Sequence, residues 1–452
     1  MSKHRDTIAA LGTPMGTAAL ALVRVSGPDT LRLVREIFGT PPEPRFALHA
    51  DYRDRAGALV DDVMVARFVA PQSYTGEDTF EVTCHGNPFI AQKILEDLFT
   101  RGCRPAEPGE FTQRAFLNGR MDLSQAEAVM DLIHARSERA LEAANQMLRG
   151  ALGHKMTGLI DDLLGAIARI EAYIDFPDED LPTEDRRIVR ETVERVLQGT
   201  GQLLATSHYG EILREGIKTV IVGAPNVGKS SLLNRLLGRD RAIVSPEPGT
   251  TRDFIEEQVL AGMHCLRLID TAGLSATPQP LEKLGQEKTR ERVAEADLFL
   301  FVLDATLPAP AFDHDLLQRM TADNTVVVIN KCDLLHGMDS KAQPPAGLPT
   351  VKLSALTGNG IDALHAEIER LADRFQVRIG SELIAINARH AHALERAKAG
   401  LSDALRKLAA GNQTELLASD LRGALDALGE ISGKVDNERM LDQLFATFCI
   451  GK

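Results

Sequence analysis

No stretch of the 452-residue sequence approaches the roughly 18 continuous apolar residues of a membrane span, and the N-terminus has no apolar signal-peptide core. Cysteines are few. Cys84, Cys103, Cys265, Cys332 and Cys449 are odd in number and scattered without metal-ligand spacing, which argues against a disulfide framework and fits a reducing compartment. The expected location is cytoplasmic, with no membrane partner. Basic charge is not in excess either. A formal net charge of −13 argues against a chain dominated by a basic nucleic-acid face, so DNA is not an expected partner. The same charge leaves room for RNA bound through a local patch or jointly with another protein. There is no G-x-G-x-x-G fingerprint after a strand, so a flavin held in a Rossmann-type site is not expected.

What is present is ordinary globular material, 44% hydrophobic and 25% charged, with a length that suggests about three domains. Residues 1–118 read as an α+β unit. Strands are expected at Ala19–Val25, Val63–Val69 and Phe80–Cys84, and helices at Leu31–Phe38 and Ile90–Phe99. Residues 119–214 are helical in texture. Met156, Leu159, Ile160, Leu163, Ile167, Ile170 and Ile174 recur at three- and four-residue steps, and Pro177 ends that pattern. Residues 215–378 alternate apolar strands with helices, which implies a parallel, doubly wound sheet with helices on both faces. Residues 379–452 return to helix, with Leu417, Leu421, Leu425 and Leu428 on one face. The economical fold is a multidomain α/β and α+β chain in which the α/β domain is inserted into a helical domain.

Gly223-Ala-Pro-Asn-Val-Gly-Lys-Ser230 fits the phosphate-binding pattern G-x-x-x-x-G-K-[ST] and follows an apolar strand. Backbone N–H groups around Asn226, Val227, Gly228, Lys229, Ser230 and Ser231 would cradle phosphate oxygens at a helix start. Lys229 would reach the β- and γ-phosphates, and Ser230 would ligate Mg²⁺. Asp270-Thr271-Ala272-Gly273 follows the next strand; Asp270 suits the surroundings of Mg²⁺ and Gly273 can offer its N–H to the γ-phosphate. Asn330-Lys331-Cys332-Asp333 follows another strand. Its Asp333 can accept two bonds from the N1–H and 2-amino group of guanine, an edge that adenine lacks, so GTP is expected over ATP. Ser354-Ala355-Leu356 follows the last strand, where a backbone N–H would meet guanine O6. Four such segments in order, each after a strand, match the rule for ligand sites in these sheets. The residue after Gly273 is Leu274, which cannot orient water as a glutamine there would. Glu282, in the segment after it, is a candidate for that task or an ordinary solvated carboxylate.

Along its whole length the sequence resembles the MnmE (TrmE) family of tRNA-modification GTPases. The resemblance is carried by Arg24-Val-Ser-Gly27, Tyr74-Thr-Gly-Glu-Asp78, Pro108-Gly-Glu-Phe-Thr-Gln-Arg-Ala-Phe-Leu-Asn118, Asp122-Leu-Ser-Gln-Ala-Glu-Ala128, Asp175-Phe-Pro-Asp178, Gly249-Thr-Thr-Arg-Asp253 and Phe448-Cys-Ile-Gly-Lys452. The resemblance implies a Ras-like P-loop GTPase domain activated by potassium. Asn226 matches the potassium-binding asparagine, and Ser245, Glu247 and Thr250, in the segment Ser245-Pro246-Glu247-Pro248-Gly249-Thr250, match the loop that wraps the ion. Thr251 matches the Mg²⁺-binding switch threonine, and Glu282 the water-orienting glutamate.

The resemblance also gives the N-terminal unit a role that its residues alone do not. Arg24, Glu81 and Arg120 read in isolation as a rim cation, an outward strand carboxylate and a helix-start cation. They match positions that bind a tetrahydrofolate derivative (5-formyl or 5,10-methylene), as does Lys452. Arg120 stands where lysine is common, which keeps the charge and changes the geometry. The tail would have to reach the N-terminal domain, and a homodimer is the expected route. Cys449 is either a small buried hydrophobe between Phe448 and Ile450 or a nucleophile in uridine chemistry. The implied function is to install a carboxymethylaminomethyl or aminomethyl group at C5 of a wobble uridine in tRNA. A flavoprotein partner resembling MnmG would complete a heterotetramer. Two other readings stay open at this point: a ribosome-assembly or signalling GTPase, and a folate-dependent transferase acting on a small molecule.

Overall fold

The computed structural model describes residues 6–174, 183–239, 256–269, 294–310, 314–375, 382–410, 414–433, 441 and 444–451. They fall into two compact units, Met1–Met130 with Gly429–Lys452, and Asp131–Leu428.

In the first unit, six strands form one sheet in the order β3-β4-β5-β2-β1-β6. They are β1 (Ile8–Leu11), β2 (Leu20–Ser26), β3 (Ala47–Arg53), β4 (Leu59–Phe68), β5 (Thr79–His85) and β6 (Arg104–Pro105). Neighbours are antiparallel except β1 and β6. Helices α1 (Thr30–Phe38) and α2 (Pro88–Thr100) supply Leu33, Val34, Ile94 and Leu98 to a core that also takes Val23, Val25, Phe80 and Val82. Strand side chains alternate between faces, so Arg24 and Glu81 point away from that core, and the register sets them directly opposite each other. Helix α3 (Glu110–Leu117) adds Phe111 to a second cluster with Ile8, Ala10 and Ala106. Helix α4 (Leu123–His134) contributes Leu123 and Ala126 to a third, filled from the chain's end by Leu441, Phe445 and Phe448.

The second unit holds a sheet in the order β12-β11-β10-β7-β9-β8. Its strands are β7 (Ile217–Val222), β8 (Glu256–Ala261), β9 (His264–Ile269), β10 (Leu298–Asp304), β11 (Thr325–Asn330) and β12 (Thr350–Lys352). Every residue of β10 is buried, and alternate side chains feed two cores on opposite faces, as a strand covered on both sides must. The sheet is parallel except at one edge. There β8 runs antiparallel to β9, because only Gly262 and Met263 separate them and so short a link cannot cross over the sheet.

The helices of this unit include α5 (Glu138–Leu148), α6 (Ala151–Ile174), α7 (Thr183–Leu204), α8 (Ser207–Glu215), α9 (Lys229–Arg239), α10 (His314–Arg319), α11 (Ile361–Ala372) and α12 (Ala388–Ala410). The spaced apolar residues of α6 are its buried face, from Met156 through Leu163 to Ile170. Both α6 and α12 pack on α7, so the helical stretches before and after the sheet come together.

Candidate nucleotide and N-terminal sites

The nucleotide loop begins where β7 ends and closes at the first turn of α9, which starts at Lys229. Its path requires a left-handed backbone at Asn226, with φ of 61°. Val227 is buried and anchors the loop, whereas Asn226, Ser230 and Ser231 are exposed. The Lys229 ammonium donates to the carbonyl oxygens of Gly223 at 2.9 Å and Ala224 at 2.8 Å. Burial lowers its pKa below the ordinary lysine value.

Asn330, at the end of β11, joins two loops. Its Nδ2 donates to the carbonyl oxygen of Val227 at 2.9 Å, and its Oδ1 accepts from the N–H of Ala355 at 2.9 Å. A single buried amide thereby fixes the phosphate loop against the Ser354–Leu356 loop. Lys331 donates to the carbonyl oxygen of Asn226 at 2.7 Å. Asp333 lies in the one-turn helix Cys332–Leu335 beside them. Arg235 of α9 donates to the carbonyl oxygens of Ala355 and Leu356. Ser354 and Ala355 are buried, and Leu356 projects into solvent. Asn226, Val227, Gly228, Lys229, Ser230, Ser231, Asn330, Lys331, Asp333, Ser354, Ala355 and Leu356 thus border one surface, at the C-terminal ends of β7, β11 and β12. Ser245, Pro246, Glu247, Pro248, Gly249, Thr250, Thr251, Asp270, Thr271, Ala272, Gly273 and Glu282 lie outside the described residues.

In the first unit Arg24 and Glu81 form an ion pair, Nε to Oε1 at 2.8 Å. The Arg24 guanidinium carbon sits 5.2 Å from the centre of the Tyr74 ring and 5.7 Å from that of Phe111. Aromatic faces on two sides restrict where the cation can turn. Burial raises the pKa of Tyr74, whose hydroxyl bonds that of Thr112 at 2.9 Å. Arg120 is exposed, and its aliphatic stem passes over Gly76.

The C-terminal tail arrives at the same place within a single chain, so reaching it does not require a second copy. Arg24 Nη1 donates to the carbonyl oxygen of Gly451 at 3.5 Å, and the Gly109 N–H donates to that of Cys449 at 3.3 Å. Gly451 has φ of 93°, and a Cβ there would meet the carbonyl oxygen of Leu11 at 2.3 Å. Cys449 is exposed, which corrects the reading of it as a buried hydrophobe: Phe448 supplies the packing and the thiol faces outward. Lys452 lies outside the described residues.

Beneath this site is an ion-pair network that the motifs did not point to. Arg114 is 1% exposed and reaches Asp6 at 2.7 Å, Glu110 at 2.9 Å and Glu77 at 3.1 Å. Glu77 in turn accepts from Ser26 at 2.7 Å, which ties the Tyr74 loop to β2. The available signal was an arginine between Phe111 and Ala115 on the buried side of a helix, four residues after a glutamate.

Among the described residues no helix is long and apolar enough to cross a membrane. The doubly wound sheet, the phosphate loop on β7 and the base-side loops on β11 and β12 define a P-loop guanine-nucleotide protein of the Ras-like kind. A family model described as the MnmE helical domain matches residues 123–449, and one described as the GTP-binding protein TrmE N-terminus matches residues 7–120. The tRNA modification GTPase MnmE of Opitutus terrae is 58% identical over 452 residues, covering 100% of both chains. Those of Natranaerobius thermophilus and Akkermansia muciniphila are 42% and 43% identical, covering 99% and 100% of each chain respectively. The chain belongs to the MnmE family of tRNA modification GTPases.

Proposed function

We propose that this chain hydrolyses GTP to drive the addition of a carboxymethylaminomethyl or aminomethyl group to C5 of the wobble uridine of certain tRNAs. Functionally we divide it into 1–118 for folate, 119–214 with 379–452 as the helical domain, and 215–378 for GTP. Lys229 and the N–H groups of Asn226–Ser231 take the phosphates, Asp333 takes the guanine edge, and Ser354–Leu356 close over the base. Mg²⁺ would be held by Ser230 and Thr251, and potassium by Asn226, Ser245, Glu247 and Thr250; bound there, these cations neutralise charge developing on the phosphates. Hydroxyl and amide oxygens are suitable donors for both. Asp270 would serve the surroundings of Mg²⁺, Gly273 would offer its N–H to the γ-phosphate, and Glu282 would orient the attacking water in place of the glutamine that Leu274 excludes. Equal turnover in sodium and potassium would remove the potassium assignment.

Arg24, Glu81, Arg120 and Lys452 would hold the tetrahydrofolate derivative, which supplies the one-carbon unit when bound. What supports this half of the reading is one convergence. Arg24 and Gly451 are 427 positions apart, yet the arginine bonds the tail carbonyl while pairing with Glu81. A carboxylate and a cation so fixed suit the donor edge of a pterin and the polar groups of a folate. The cysteine at 449, exposed beside them, is proposed as the nucleophile in uridine chemistry. The protein would act as a homodimer with a flavoprotein resembling MnmG, which brings the redox cofactors, and the complex would work in the cytoplasm.

Glu81→Gln keeps the size of the side chain and removes its charge. Titration of the full chain with 5-formyltetrahydrofolate should show affinity reduced about tenfold or more, the scale expected when one charge-assisted contact is lost. Unchanged affinity would take Glu81 out of the site, and no binding by the wild type would end the folate reading.

A further inference from the structure

Asp304 closes β10, a strand otherwise wholly apolar, and it has no part in the function proposed above. Its two carboxylate oxygens have different partners. Oδ1 accepts from the Thr306 N–H at 2.9 Å and from the Thr306 hydroxyl at 2.7 Å. Oδ2 pairs with the Lys331 ammonium at 2.7 Å. The same ammonium donates to the carbonyl oxygen of Asn226 at 2.7 Å. Asn226 and Lys331 both have left-handed backbones, with φ of 61° and 66°. Non-glycine residues enter that region at a cost and stay there when their surroundings hold them. The Asp304–Lys331–Asn226 chain is such a restraint, and it runs from the C-terminal end of β10 into the phosphate loop.

We infer that Asp304 is a positioning residue for guanine-nucleotide binding, which acts by holding Lys331 so that Lys331 holds the carbonyl and the left-handed turn of Asn226. Three features carry this. The Asp304 side chain is 6% exposed, so an ammonium beside it meets little competing water. Thr306 occupies one oxygen and fixes the direction of the other. Asn226 is an exposed residue of the phosphate loop and has no core packing of its own to set its backbone. Asn330 already fixes Val227 from β11; Asp304 fixes the preceding residue from β10, so two strand ends hold adjacent peptides of one loop. Burial pushes the Asp304 carboxyl up, but its bonds with Lys331 and Thr306 outweigh this and hold it below the ordinary aspartate value.

The inference rests on the nucleotide-site reading, and one experiment separates the two. Release of a fluorescent GDP analogue is measured by stopped flow from the full-length chain and from Asp304→Asn, Lys331→Met and the double variant. Asp304→Asn keeps the volume and an acceptor for Thr306 but loses the ionic partner. Release should quicken about tenfold, the scale of one charge-assisted bond. The double variant should match Lys331→Met within twofold, because an aspartate that acts through the lysine has nothing further to lose. Thr306→Val, which removes one bond from the other oxygen, should quicken release two- to threefold and provides a milder probe if Asp304→Asn folds poorly. Release from Asp304→Asn within twofold of wild type, or effects that multiply in the double variant, would overturn the inference. Failure of the wild type to bind the analogue would remove the nucleotide reading and this inference with it.

Discussion

Replacing Gly228 by alanine is expected to weaken guanine-nucleotide binding on the order of a hundredfold, with the fold retained. Gly228 has φ of 97°, and a Cβ there would lie 2.2 Å from Nδ2 of Asn330. Something must move. A turn that relaxes to suit alanine loses the presentation of the loop's N–H groups. An Asn330 that moves instead loses its bond to the Val227 carbonyl or its bond from Ala355. Strain of this kind costs about 1–3 kcal/mol, and a buried bond left unmade costs about as much. Either route costs up to about 3 kcal/mol, which corresponds to roughly two decades in affinity. The check is titration with GDP and GTP analogues beside circular dichroism of the same sample. An affinity within threefold of wild type would show that the loop tolerates a side chain where the structure leaves no room.

Arg114→Met should destabilise the first unit by about 3 kcal/mol, the lower end of the cost of removing one partner from a buried ionic network. Glu77, with a side chain 17% exposed, would lose its arginine, and Glu110, at 8%, would be left with Arg104 alone, whereas Asp6, at 40%, also keeps Arg104 and can turn to water. Because the chain has more than one unit, the measurement should be local. Hydrogen exchange of the β2 amides in the full-length protein should lose about a hundredfold in protection, the equivalent of that energy.

The dependence on pH distinguishes this from simple loss of packing. Burial pushes the Glu110 and Asp6 carboxyls up, but bonds to Arg104 and Arg114 outweigh it and hold both below their ordinary values. Lowered folded-state values mean that the unfolded chain binds protons first. The stabilisation is therefore complete above the ordinary carboxylate range, about pH 4, and is lost as pH falls through it toward the folded values. In the variant Glu110 and Asp6 keep Arg104 but lose the bond from Arg114, so less of this pH-dependent stabilisation remains. The gap between variant and wild type should narrow on acidification toward about pH 4, and a constant gap would contradict an electrostatic origin.

The loops after β7, β11 and β12 were legible because each is a contiguous run placed directly after an apolar strand, so local order implies spatial convergence. The β10 strand was legible for the same reason; Asp304 was not, since an aspartate that ends a strand looks like any turn residue until Lys331 is placed beside it. The α6 face was readable from its three- and four-residue spacing. The edge strands β3 and β8 were harder. Among the seven residues of β3 only Tyr52 is buried, so its alternation is faint. The direction of β8 depends on a two-residue turn rather than on strand composition. The N-terminal site shows the limit most clearly. Arg24 and Glu81 are ordinary surface-strand residues until register sets them opposite, and no local signal brings residue 451 to residue 24. Cys449 sits between two apolar residues that suggest burial, but only Phe448 turns inward.

GTP turnover in this chain serves tRNA modification on the reading proposed above. Nucleoside mass spectrometry of tRNA tests that most directly, in cells lacking the chain and in the same cells supplied with either the wild type or Gly228→Ala. The C5 substituent on the wobble uridine should disappear without the chain, return with the wild type and stay absent with the variant. Full modification in cells lacking the chain would contradict the role itself, and full rescue by a variant shown not to bind nucleotide would contradict the part assigned to GTP.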